Sequence, residues 1–191
     1  RDGPRDPTLV QNTLKPQTKT PTPPQQNSIQ VIAENLDIPW EIAFLPNEDL
    51  LVTERPGTLL RISEQQTQIP IEGVANRGEG GLLGLVLHPK FEENNLIYLY
   101  LTTETEQGLT NRVEQYRLEG SEVTKTATII EGIPGATYHD GGRMAIGPDQ
   151  KLYITTGDAG NGNLSQNINS LAGKILRLNL DGSIPQDNPF D

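Results

Sequence analysis

Cysteine is absent from the 191-residue chain. That excludes disulfide scaffolds, thiolate zinc sites and cysteine nucleophiles, and it leaves the redox compartment open, since oxidising compartments also hold cysteine-free proteins. Basic residues are scarce, 15 against 25 acidic ones, and no Lys/Arg cluster interrupts the net charge of −10. A phosphate backbone would be repelled rather than gathered, so no nucleic-acid partner is expected. No apolar run approaches the roughly 20 residues that a membrane helix needs, so no spanning segment is expected either. Sustained 3.6-residue periodicity is missing, and hydrophobic residues make up 34%, which argues against long helical bundles. What the chain has instead is 19 Gly and 15 Pro, the punctuation of short elements joined by tight turns. Its length suits one domain, or at most two small ones.

Residues 1–28 carry Pro4, Pro7, Pro16, Pro21, Pro23 and Pro24 among Thr, Gln and Asn. Such a stretch cannot bury a core and reads as a Pro/Thr-rich disordered linker of polyproline character. A linker of this kind spaces a domain from an anchor or a cleaved signal, and predicts a periplasmic or otherwise exported location. A tail without consequence is the plain alternative. The chain opens on Arg1 without an apolar segment, so any export signal is expected to have been removed or never included.

From residue 29 the texture changes. Short β-type runs are predicted over Ser28–Ala33, Glu41–Phe44, Asp49–Glu54, Leu59–Ile62, Gly84–Leu87, Leu96–Thr102, Val113–Leu118, Met144–Ile146, Lys151–Thr156 and Lys174–Leu180, each bounded by Gly, Pro, Asn or Asp. Three copies of one unit recur among them: Ile42–Pro46, Leu85–Pro89 and Met144–Pro148, each followed by a β run and then a return run containing Leu-Arg-Ile, Tyr-Arg-Leu or Leu-Arg-Leu. The three prolines lie 43 and 59 residues apart, near the roughly 40–50-residue period of propeller blades once insertions are allowed. An all-β propeller is therefore predicted over residues 29–191, with about three blades present. A β-sandwich gives no reason for the same hairpin to recur. Three blades do not close a ring, so the chain is expected to be the N-terminal part of a larger propeller.

The segment richest in chemistry is Tyr138-His139-Asp140-Gly141-Gly142-Arg143, entering the third hairpin, with Gly157-Asp158-Ala159-Gly160 leaving it. A turn at Pro148-Asp149 sets His139 opposite Asp158 across an antiparallel pair. A carboxylate beside an imidazole fixes its tautomer and stabilises the imidazolium, which is the physical form of a general base with its orienting partner. A single His near an Asp is more often a structural pair. The repeat favours function, because equivalent positions place Asp37, Glu79 and His139 at one rim, where successive blades converge on a funnel. Gly141 and Gly142 permit close approach of a flat ligand or of another backbone. Gly78–Gly84 lacks the G-x-G-x-x-G spacing of nicotinamide sites. The Asp158–Asn163 stretch misses the order of a calcium loop and reads as solvated. His88 reads as a turn residue and Trp40 as a packing anchor between blades.

Five strings in this chain resemble the soluble glucose/sorbosone dehydrogenases, which include the aldose sugar dehydrogenases that use pyrroloquinoline quinone (PQQ). They are Leu36–Leu45, Gly78–Phe91, His139–Arg143, Ile146–Asp158 and Gly173–Pro189. The resemblance implies a six-bladed propeller with PQQ across its top, bound calcium, an aldose substrate and an external electron acceptor. It further implies that His139 takes the proton from the C1 hydroxyl of the sugar while hydride moves to the quinone, that Asp158 orients His139, and that Glu79 and His139 face the cofactor. Glu79 stands where the glucose enzyme has Gln, and Tyr138 where it has Asp, so a broad aldose preference is expected over strict glucose. The family's PQQ-holding cations and calcium ligands come from later blades, which leaves the metal ligands unassigned and predicts that this chain alone is inactive. Two other readings compete: a non-catalytic propeller that binds carbohydrate or protein, and a calcium-dependent lactone hydrolase.

Overall fold

A computed structural model describes residues 29–190; the predicted linker over 1–28 lies outside them. The described residues form eleven strands, one single-turn helix and one 3-10 turn. Among the described residues, 33–190 form one compact unit. No helix among the described residues is long and apolar enough to cross a membrane.

Three antiparallel sheets follow one another along the chain. The first contains β1 (Pro39–Phe44), β2 (Leu50–Glu54), β3 (Thr58–Ile62) and β4 (Gln66–Pro70) in sequential order. The second contains β5 (Leu82–Leu87), β6 (Leu96–Thr105), β7 (Gly108–Glu119) and β8 (Glu122–Pro134), with the helical turn α1 (Phe91–Asn94) between its first two strands. The third contains β9 (Gly141–Ile146), β10 (Leu152–Thr156) and β11 (Ile175–Leu178), and a 3-10 turn over Gly162–Gln166 separates the last two. Successive sheets meet through their first strands, β1 against β5 and β5 against β9. Two four-stranded meanders and a three-stranded one, stacked in this manner, are consistent with a propeller fragment.

The sequence repeat has a structural cause. In the first hairpin Leu45 N–H donates to Asp49 C=O and Glu48 N–H to Leu45 C=O; in the third, Gly147 N–H donates to Lys151 C=O and Gln150 N–H to Gly147 C=O. Both turns place Pro at the second position, where its fixed φ suits the bend. Both then need a left-handed residue, Glu48 (φ 71°) and Gln150 (φ 60°). Each turn is fastened to the return strand by an Asp–Arg ion pair, with matching arginines but aspartates from different turn positions: Asp49 with Arg61 at 2.7 Å and Asp149 with Arg177 at 2.9 Å. The second hairpin keeps the outer bond, His88 N–H to Leu96 C=O, and inserts α1 inside it.

Period-two alternation builds the core. Ile97, Leu99 and Leu101 of β6 face the first sheet and pack with Leu51, Leu59 and Ile69. The intervening Tyr98 and Tyr100 face the third sheet and pack with Leu152 and Ile154. The second sheet is thus buried on both faces, each enclosed large side chain contributing about 1.5–3 kcal/mol. Trp40 packs against the second of these clusters, as expected of an anchor between sheets.

Three expectations need correction. Residues 29–33 of the first predicted run form no strand. Strands β4 and β8 were not predicted, because β4 alternates Gln, Thr and Gln with little apolar content and β8 is mostly exposed; such outer strands are held by the ladder rather than by burial.

Candidate active site

Three connecting segments converge beside the start of the third sheet: residues 77–81 entering β5, 135–140 between β8 and β9, and 157–160 leaving β10. The β9–β10 register pairs Leu152 with Ile146 and Ile154 with Met144, then shifts by one residue so that Thr156 faces Gly141. That slip brings the next residues outward, His139 and Asp158, into alignment. His139 Nδ1 lies 2.9 Å from Asp158 Oδ1.

Asp158 also accepts the Gly160 N–H at 2.9 Å. The hydrogen bond from His139, and then that from Gly160, hold the Asp158 carboxyl below the usual carboxylate range. An ionised carboxylate can only accept, so Nδ1 carries the hydrogen and Nε2 keeps a lone pair. The imidazole side chain is 58% exposed against 27% for Asp158. The pair therefore has one partner buried enough to be fixed and one open to an incoming group.

The backbone of His139 is equally constrained. It sits at φ 61°, a conformation that a non-glycine residue keeps only when its surroundings impose it. Its N–H donates to Glu79 Oε2 at 2.9 Å, and its C=O accepts the Ala159 N–H at 3.2 Å. Glu79 N–H donates in turn to Thr137 C=O at 2.9 Å, so Glu79 clasps the loop at two points and ties the entry of the second sheet to that of the third. Gly78 and Gly157 make this closeness possible: a Cβ on either would stand 1.9 Å from Thr137 O or 1.7 Å from His139 O. Gly141 and Gly142 serve the same end, against Thr156–Gly157 and against Leu83.

Of the rim residues expected from the repeat, Glu79 and His139 meet, together with Asp158. Asp37 does not join them: its N–H donates to Glu54 Oε1 at 2.6 Å, and no hydrogen bond among the described residues links it to Glu79 or His139. Three features escaped sequence reasoning. Tyr138 stands edge-on to His139 with ring centroids 4.9 Å apart, and its hydroxyl overlies Gly160, where a Cβ would be 2.7 Å away. Arg143 lies 3.8 Å over the Trp40 ring and pairs with Glu41 at 2.6 Å, joining β9 to β1. Asp140 is buried beneath the loop. Only tertiary placement distinguishes its carboxylate from those of the surface.

The charge around the imidazole is mainly negative. Arg77, which enters this region, pairs with Glu104 at 3.4 Å, and Arg143 is engaged by Glu41. The arrangement suits acceptance of a proton from a neutral donor. It does not suit retention of a polyanion, which requires unpaired cations. Among the described residues no group of three or more His, Cys, Asp or Glu is placed to hold a metal ion.

Several known proteins are similar to this chain in sequence and fold. The sequence profile of the Glucose / Sorbosone dehydrogenase family matches residues 36–191. Quinoprotein glucose dehydrogenase B of Acinetobacter calcoaceticus is 34% identical over 194 residues, covering 84% of this chain and 41% of that protein. Aldose sugar dehydrogenase YliI of Escherichia coli is 33% identical over 177 residues, covering 87% of this chain and 48% of that protein. The solved PQQ-bound aldose sugar dehydrogenase of Streptomyces coelicolor superposes with a TM-score of 0.79 at 37% identity, covering 85% of this chain and 50% of that one. The chain spans about half the length of these relatives. It belongs to the glucose/sorbosone dehydrogenase family.

Proposed function

We propose that this chain forms the proton-accepting part of a PQQ-dependent aldose dehydrogenase, whose whole is a six-bladed propeller that oxidises the sugar at C1 to the lactone. The observation that carries the proposal is the His139–Asp158 contact of 2.9 Å, with the imidazole exposed and its Nε2 free. Asp158 holds Nδ1 protonated, so Nε2 takes the C1 hydroxyl proton, and the imidazolium that forms is stabilised by the same carboxylate. Glu79 fixes the backbone beneath the base and, as an exposed carboxylate, stands where it can accept from a sugar hydroxyl. PQQ, when bound, supplies the acceptor for the C1 hydride.

The residues present fit the base side of this chemistry and not the retention of PQQ, because Arg77 and Arg143 are already paired. The 191-residue chain by itself is therefore expected to hold PQQ poorly and to lack turnover; the cations and calcium ligands implied by the resemblance belong to the remainder of the relatives' length. The composition of residues 1–28 supports an exported protein with this segment as its tether.

The test is dye reduction by the intact gene product with PQQ, calcium and a panel of aldoses. His139→Gln should lower turnover by about 10²- to 10⁴-fold while quinone binding, followed by absorbance, persists. Undiminished dye reduction in that variant removes His139 from the mechanism. Saturable sugar binding without dye reduction in the unaltered protein would favour a binding module instead.

A further inference from the structure

Asp140 follows an exposed histidine yet is only 2% exposed itself. Its Oδ1 accepts two hydrogen bonds, from the Ala136 N–H and from Asn111 Nδ2, both at 3.0 Å. Its C=O accepts the Tyr100 hydroxyl at 2.8 Å. Its Oδ2 is buried with no hydrogen-bond partner among the described residues. Burying a carboxylate with one oxygen unpartnered is unfavourable, and packing alone would be served better by an apolar side chain. What the residue secures is position.

Two of the groups that grip Asp140, Asn111 and Tyr100, are fully buried in the second sheet. Asn111, fully buried on β7, accepts the Thr102 hydroxyl at 2.7 Å and donates to Pro134 C=O at 3.1 Å. Tyr100 and Thr102 lie on β6, in the sheet buried on both faces. The loop over residues 136–140 is thereby tied to that sheet at the residue next to His139. Glu79 and Ala159 grip His139 through its own backbone; Asp140 fixes the peptide that follows.

We propose that Asp140 is a positioning residue for His139: by holding residues 136–140 against β6 and β7 it keeps the imidazole where Nδ1 meets Asp158. The role of the positioned imidazole rests on the reading of His139 as the base; the positioning itself does not. It works through acceptance of the Ala136 and Asn111 donors, so Asn at this position should replace it and Ala should not.

The chain contains two histidines, His88 and His139, which makes a direct measurement possible. A long-range proton–nitrogen correlation spectrum of the full chain shows two imidazoles. His88, whose Nδ1 lies 3.0 Å from the Lys90 backbone N in another hairpin, is the internal control. Wild-type His139 should appear as the Nδ1–H tautomer. Asp140→Ala is expected to move it toward the Nε2–H tautomer that free imidazole favours, with His88 unmoved, and Asp140→Asn to keep the native pattern. Native His139 signals in Asp140→Ala overturn the proposal, as does loss of the Nδ1–H tautomer in Asp140→Asn with His88 intact. Should Asp140→Ala not fold, the Asn variant decides by the same reading.

In the complete quinone enzyme, Asp140→Ala should lower kcat by about 10²-fold, the usual effect of a misplaced catalytic group, with KM within about threefold of wild type; Asp140→Asn should rescue it. A shifted His139 signal without loss of sugar oxidation would keep the positioning role and discard the base, so the two failures are distinguishable.

Discussion

Gly157 offers the sharpest probe of the site, because replacing it with alanine adds one methyl group where the backbone leaves no room. Gly157 is not among the residues with positive φ, so alanine meets no intrinsic backbone strain there and the whole effect comes from the close approach. Its Cβ would stand 1.7 Å from His139 O, 2.3 Å from His139 C and 3.0 Å from Asp140 N. Non-bonded heavy atoms rest at about 3.5 Å, so the two loops must part by roughly 1.5–2 Å. These atoms are backbone, and no rotamer change relieves the clash. The separation breaks the Ala159–His139 backbone bond and lengthens the His139–Asp158 contact beyond hydrogen-bonding range. Overpacking of this kind destabilises by about 1–3 kcal/mol, which lowers Tm by about 3–10 °C for a unit of this size. The displacement of the base should reduce kcat by about 10²-fold. Thermal melting, the His139 imidazole spectrum and sugar-dependent dye reduction by the complete enzyme measure the three consequences. Gly162→Ala is the control, since a Cβ there meets only Asp158 Oδ2 at an ordinary 3.9 Å. A Gly157→Ala protein with wild-type Tm, an unshifted Nδ1–H signal and full turnover refutes the reasoning.

Acid should weaken the fold through its carboxylates. Asp49 is held below the usual range by Arg61, Asp158 by His139, Asp181 by Ser183 and Asp187 by Arg177. A depressed folded pKa contributes stability that is complete above the ordinary carboxylate value and is lost as pH falls through the lower folded value, so denaturant midpoints should drop steeply below about pH 4; a midpoint unchanged at about pH 3 would contradict these pairings. His88 should titrate below the ordinary imidazole value of about 6.5, because burial and then Lys90 disfavour its charged form; a midpoint above that value, read from the same spectrum that follows His139, counts against its placement. Leu99→Ala, at a fully buried position, should cost about 2–5 kcal/mol by calorimetry or denaturant titration. A loss under about 1 kcal/mol there would mean that the face of the second sheet toward the first is not enclosed.

Much of the architecture was legible because it is local. The hairpins announce themselves through Pro46, Pro89 and Pro148, since proline pre-sets the bend and the apolar runs on either side alternate with the period of a pleat. The same locality revealed the His139–Asp158 pair: once the third turn is placed, antiparallel register carries it outward to both residues, and the bulge near Thr156 changes the alignment by a single step. The Asp149–Arg177 and Asp49–Arg61 pairs were visible only as a recurring Leu-Arg string. Strands β4 and β8 stayed hidden, because an outer strand buries little and need not be apolar. Asp37 was misplaced by its equivalent position in the repeat, since its loop is directed by Glu54 instead.

What the sequence determined by itself was the order of turns and strands and the opposition of one imidazole to one carboxylate, both set by interactions between near neighbours in the chain. Which of the many acidic residues belong to that imidazole was decided by tertiary structure. Glu79 reaches the backbone N–H of His139 from 60 residues away, and Asp140 becomes a buried support because β6 and β7 close over it. Long-range approach of this kind leaves no local pattern: composition describes a carboxylate identically whether water or a packed sheet surrounds it, and only burial makes the two different in energy.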